Sequence, residues 1–153
     1  MQDPTRWKVY FFTLNDAPYH LALYHPRVGF GDLSLLGSRI FDERDPLFPR
    51  GQQSVFSIDV PYPELMIKFM RLANLLCREI IDQERRCIGW HLLPEAPEFV
   101  LTLRNMRSKD VNNMNCVEWC LFALEQGGVE IPLDILTLNQ FRSWLIKVAE
   151  VSQ

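Results

Sequence analysis

The stretch "VNNMNCVEWCLFALEQGG", residues 111–128, is the one on which the reading of the fold turns. Asn115 is a favoured N-cap, Glu118 three residues later can close a capping box with it, and Gly127 and Gly128 supply a left-handed stop. The spacing predicts a helix whose first residue is Cys116, with Cys120 one turn further on. A helix N-terminus offers free N–H groups and a partial positive charge, and both favour a thiolate over a thiol. On this stretch alone three readings of Cys116 stay open: an activated nucleophile, a metal ligand, or a small apolar residue in a core. For Cys120 the core reading is preferred, since free cysteine is among the most buried residue types.

Upstream, the first third of the chain reads as strands. "WKVYFFTL" is rich in aromatic and β-branched residues, "DAP" turns the chain, and "YHLALYH" follows with a two-residue period, which predicts a hairpin. In its second strand His20, Ala22 and Tyr24 share one face, and Tyr19, Leu21 and Leu23 the other. "DLSLLGS" is a short strand candidate that puts Asp32 and Ser34 on a common face, and "QSVFSIDV" is another strand, ended by Pro61. From Pro63 the period changes to three and four, with Leu65, Phe69, Leu72, Leu76 and Ile80 as the apolar stripe of a helix of several turns. Met66 and Met70 fall at helical spacing beside them and read as core. "EFVLTLR", residues 98–104, reads as one more strand. A last helix starts at Thr137, where Gln140 repeats the capping-box spacing and Phe141, Trp144, Leu145 and Val148 line one face.

Activating a cysteine requires an imidazole to take its proton and a third polar group to hold the ring. His20 on the second strand and Asp32 on the next are the candidates. His25, before Pro26 at a strand end, and His91 are rivals for the base; a turn position beside Gly31 is the rival reading of Asp32. The strand histidine of "HLALYH" followed by the helix-start cysteine of "NCVEWCLFALEQGG" resembles the circularly permuted papain-like thiol enzymes. These are a branch of the NlpC/P60 superfamily that includes the lecithin:retinol acyltransferase-like proteins and the YiiX-type peptidases. Acyltransferase-like members carry H-x-a-x-Y around the histidine and N-C-E-x-F around the cysteine; this chain has His20-Leu21-Ala22-Leu23-Tyr24 and Asn115-Cys116-Val117-Glu118-Trp119. It departs in having Glu118 one place later than the family's acidic residue, and Asp32 where the family has a second histidine or another polar residue.

The resemblance implies a single α+β domain over residues 1–153, a small antiparallel β-sheet with packed helices in the permuted papain-like arrangement. It implies a cysteine-dependent hydrolase or acyltransferase acting on a peptide, amide or acyl-ester substrate through a thioester. Cys116 would be the nucleophile, His20 the base and acid, Asp32 the orienting group, and Trp119 and Tyr24 substrate contacts. The alternative from another class is a non-catalytic protein-binding domain with the same fold.

Composition narrows the remaining classes. With 16 Lys and Arg against 19 Asp and Glu, the formal charge of −3 gives no broad basic surface, so nucleic acid is not an expected partner. The 48% hydrophobic content is enough for one sizeable core, yet no run approaches the roughly 20 apolar residues of a membrane span. "MQDPTRWKVYFF" lacks the pattern of a signal peptide, which makes the cytoplasm the default expectation, with export as an effector left open. The four cysteines are then expected as thiols rather than a disulfide framework. Cys87, His91, Cys116 and Cys120 are zinc-compatible types, but the glycine and Pro94 around "CIGWHLLPEAP" and the absence of a C-x2-C knuckle argue against a metal site. "GFGD" lacks the lysine and spacing of a phosphate loop, and no cofactor is expected.

Overall fold

The computed structural model describes residues 6–34, 37–84, 116–135 and 137–151. Five strands come first: β1 (Arg6–Leu14), β2 (Ala17–His25), β3 (Gly29–Ser34), β4 (Gly37–Phe41) and β5 (Gln52–Asp59). Helices α1 (Pro63–Glu84), α2 (Cys116–Gln126) and α3 (Leu138–Val148) follow, and a two-residue strand β6 (Glu150–Val151) closes the order. The fold class is α+β, and the sheet runs β4-β3-β2-β1-β5-β6 with every adjacent pair antiparallel. The strand expected over residues 98–104 and the Asn115 cap lie outside the described residues.

The β1–β2 turn falls one residue earlier than the "DAP" reading placed it. Asn15 and Asp16 both take positive φ, 52° and 64°, so Leu14 faces Ala17 and Pro18 is already in the strand. Asparagine and aspartate tolerate that region, and a two-residue turn with both φ positive matches the twist of the strands it joins. β3 begins three residues before the expected strand, at Gly29. The chain then turns back into β4, "GSRIF", which the sequence reading did not separate.

Alternation along the strands sends residues to two cores. Trp7, Val9, Phe11, Leu21, Leu23, Phe56 and Ile58 face the helices. Phe12, Ala22, Phe30 and Phe41 form a second cluster with Tyr10, Tyr19, Tyr24 and Phe48 packed against it. Phe48 comes from the segment between β4 and β5 and sets its ring 5.0 Å from Phe30 and 5.6 Å from Phe12, centroid to centroid. Tyr19 donates its hydroxyl to the Arg50 carbonyl at 2.7 Å, pinning the same segment.

The helices cover the other side. Among the described side chains of α1 the buried ones are Met66, Ile67, Met70 and Ala73, whereas Leu65 and Leu72 are 53% and 54% exposed. Of the expected stripe, Phe69 packs against the core, Leu65 and Leu72 do not, and the side chains of Leu76 and Ile80 lie outside those described. Leu65 and Leu72 lie about 100° around the helix from Met66 and Ala73, so only one of two adjacent apolar stripes can face the sheet. Gly31 makes the close approach possible, because a side chain there would run into Met70 and Trp119. α2 is buried on nearly all sides from Cys116 to Leu124, as a helix in the middle of a small domain must be. It ends as expected, though only Gly128 is left-handed, with φ +90°. The Val129 N–H bonds Leu124 O and the Gly128 N–H bonds Glu125 O, the paired bonds of a Schellman stop. α3 is capped by Thr137 with the reciprocal Gln140 bond, and it buries Leu138, Phe141 and Leu145 while Trp144 is half-buried. Val148, expected on that stripe, is 55% exposed.

Candidate active site

The site is assembled where the sheet loses its regular ladder. Pairing of β1 with β2 passes from Phe12↔His20 to Thr13↔Pro18, so Tyr19 is an extra residue in a bulge immediately before His20. Bulges bend a strand and re-aim the neighbouring side chain. On the other side of β2, the pairs with β3 run from His25↔Gly29 to Leu23↔Gly31 and end there. His20 and Asp32 both lie past that end, and the start of α2 meets the sheet at this place.

There the structure brings Cys116, His20 and Asp32 together. His20 Nε2 lies 2.6 Å from Asp32 Oδ2, and the Cys116 thiol is close enough to act on the imidazole electrostatically. Asp32 has no exposed surface, while His20 and Cys116 are 6% and 5% exposed. Burial by itself would push the imidazole toward its neutral form. Burial is the largest single influence, yet the Asp32 hydrogen bond, the Cys116 side chain and the charges of both together outweigh it, and the His20 pKa rises from 6.5 to about 10. A protonated imidazole beside the Asp32 carboxylate is therefore the favoured state at neutral pH. The turn reading of Asp32 is overturned: it is an interior residue of β3.

Arg39, on β4, was not singled out from the sequence. Its Nε donates to Asp32 Oδ1 at 2.8 Å and its Nη2 to Asp32 Oδ2 at 3.1 Å, while Nη1 donates to the Leu47 carbonyl at 3.0 Å. The guanidinium carbon sits 4.0 Å from the Phe41 ring centroid. Without β4 the residue had no address. The available signal was an arginine inside "GSRIF", a run otherwise suited to a buried strand.

The other candidates are placed elsewhere. Trp119 is fully buried among the core residues, 5.7 Å from Phe69 between ring centroids, so it backs α2 rather than walling an open cleft. Tyr24 lies four residues, about 13 Å of strand, from His20 and packs 4.6 Å from the Phe30 ring. His25 is buried against Trp7 and accepts the Arg27 N–H at Nδ1, 3.1 Å. Burial, aided by Cys116 and Asp32, pushes the Cys120 thiol well above its ordinary pKa, which makes it an unreactive core thiol. Cys87 and His91 of the zinc-type set lie outside the described residues, and among the described residues no three such side chains are arranged to hold a metal ion.

Three surface cavities among the described residues lie around Trp144 and Ile135, around Leu65 and Leu72, and around Arg27 and Asp42; none is lined by Cys116, His20 or Asp32. Among the same residues no helix is long and apolar enough to cross a membrane. Comparison with family models, with curated proteins and with solved structures found no match to this chain.

Proposed function

We propose that this chain is a cysteine-dependent hydrolase or acyltransferase with the permuted papain-like order, a strand histidine before a helix-start cysteine. One observation carries the reading: a buried imidazole lies 2.6 Å from a fully buried carboxylate, with the thiol of the helix-start Cys116 near enough to influence its protonation. Cys116 sulfur attacks the carbonyl of an amide or ester, and the Cys116 backbone N–H at the helix start supports the developing oxyanion. His20 holds the proton taken from the thiol and gives it to the leaving amine or alcohol, which leaves an acyl thioester on Cys116. Water or a second acceptor, deprotonated by His20, then attacks the thioester and releases Cys116. Asp32 holds the ring through both steps.

The alternative, a protein-binding domain that keeps the fold without chemistry, is favoured by the 5% exposure of Cys116. Iodoacetamide labelling of each cysteine against pH, read by peptide mass spectrometry, separates the two. An active site labels fast at Cys116 alone below pH 8.5, the reference thiol value being about 8.5, and loses that advantage in a folded His20→Ala variant. Cys116 as inert as Cys120 would exclude the enzyme reading.

A further inference from the structure

We infer that Arg39 is a positioning residue of the site: its guanidinium fixes the plane of Asp32 and thereby aims one carboxylate oxygen at His20. The inference rests on the thiol-enzyme reading for its consequence, and on geometry for its basis.

A carboxylate rotates about its last side-chain bond with only a broad preference, so an aspartate facing a histidine across two strands does not by itself hold the ring. Here the guanidinium fork occupies both oxygens, through Nε to Oδ1 and Nη2 to Oδ2, and two parallel bonds leave the carboxylate plane no freedom. Oδ2 is the oxygen shared between Arg39 and His20. The fork also compensates a carboxylate with no exposed surface, which would otherwise be costly to bury. Arg39 is itself held on two further sides, by the Leu47 carbonyl at 3.0 Å and by the Phe41 ring at 4.0 Å. The row His20, Asp32, Arg39 and Leu47 thus runs from β2 across β3 and β4 into the segment between β4 and β5. Cys116 and Cys120 are the groups of α2 whose electrostatics couple to this neighbourhood.

The test is a double-mutant cycle on Cys116 labelling at pH 7, using Arg39→Met, Asp32→Asn and both together, with proton NMR of the His20 ring N–H as a readout independent of reactivity. A residue acting through Asp32 lowers the labelling rate by about tenfold in the wild-type background, within the range contacting residues show, and adds nothing once Asp32 is Asn. The far-downfield ring proton expected of the short His20–Asp32 bond disappears in Arg39→Met. Arg39→Lys keeps the charge but not the fork, so it falls between the two and supplies the answer if Arg39→Met does not fold. Wild-type labelling with an unchanged ring proton in Arg39→Lys, or additive losses in the cycle, would overturn the inference. If wild-type Cys116 labels no faster than Cys120, the enzyme reading fails, while the ring proton still reports whether Arg39 holds Asp32.

Discussion

Asp32 accepts three hydrogen bonds, one from His20 and two from Arg39, while fully buried. Asp32→Asn therefore leaves the Arg39 guanidinium and the His20 ring without their carboxylate. Breaking a buried pair from one side costs about 3–5 kcal/mol, and we expect a loss of that order in urea unfolding at pH 7. His20 adds a pH signature. Its folded pKa, about 10, lies above the unfolded 6.5, so the folded state binds the extra proton between these values. The stabilisation is complete below pH 6.5 and is lost as pH rises through about 10. Wild-type stability should fall across that window more steeply than that of His20→Gln; parallel curves would contradict the ion-paired imidazole.

At the scale of elements, the two helix ends with visible stops give separate tests. Thr137→Ala removes the cap of α3 and should cost about 1 kcal/mol. Gly128→Ala forces a side chain into the left-handed region at φ +90° beside the Tyr62 ring, and should cost more than the roughly 1–2 kcal/mol of the backbone term alone. Both are read from thermal or urea midpoints. Gly31→Ala is a test of the sheet–helix approach: the new methyl meets Met70 and Trp119, and overpacking of this kind costs about 1–3 kcal/mol. If Gly31→Ala is neutral, α1 and α2 do not sit against β3 as tightly as the structure has them. These stops and caps were legible because each is a local pattern of a few letters. The bulge at Tyr19 was not, because it exists only in the pairing of β2 with β1.

For the whole molecule, the two apolar clusters share strands rather than standing as separate layers. Phe11 and Phe12 are neighbours on β1, yet Phe11 packs with the helix-side residues, 5.7 Å from the Phe141 ring, and Phe12 with the opposite cluster. Neither cluster can be lost while β1 stays paired on both sides. Phe11→Ala and Phe12→Ala, both at fully buried positions, should each lower one common transition by about 3–5 kcal/mol. Far-UV circular dichroism checks this. Two transitions in either variant would mean that the faces unfold independently.

The sequence by itself determined what depends on neighbours along the chain. The strand period of "WKVYFFTL" and "YHLALYH", the Thr137–Gln140 cap, the Gly128 stop and the change to a helical period after Pro63 all stand in the letters, since each reflects side-chain alternation or one turn of backbone. That His20 and Asp32 were worth pairing with Cys116 was legible from residue type and order. Only the tertiary structure decided whether they meet, because a hydrogen bond across 12 positions and an approach across 96 depend on strand pairing, a bulge and where α2 lands. It likewise chose Met66 and Met70 over Leu65 and Leu72 for the core, and it brought Arg39 from an unrecognised strand to Asp32. The physical reason is the same in each case. Hydrophobicity and propensity act residue by residue, whereas the choice between two apolar faces, or the partner of a buried charge, is settled by what packs against it.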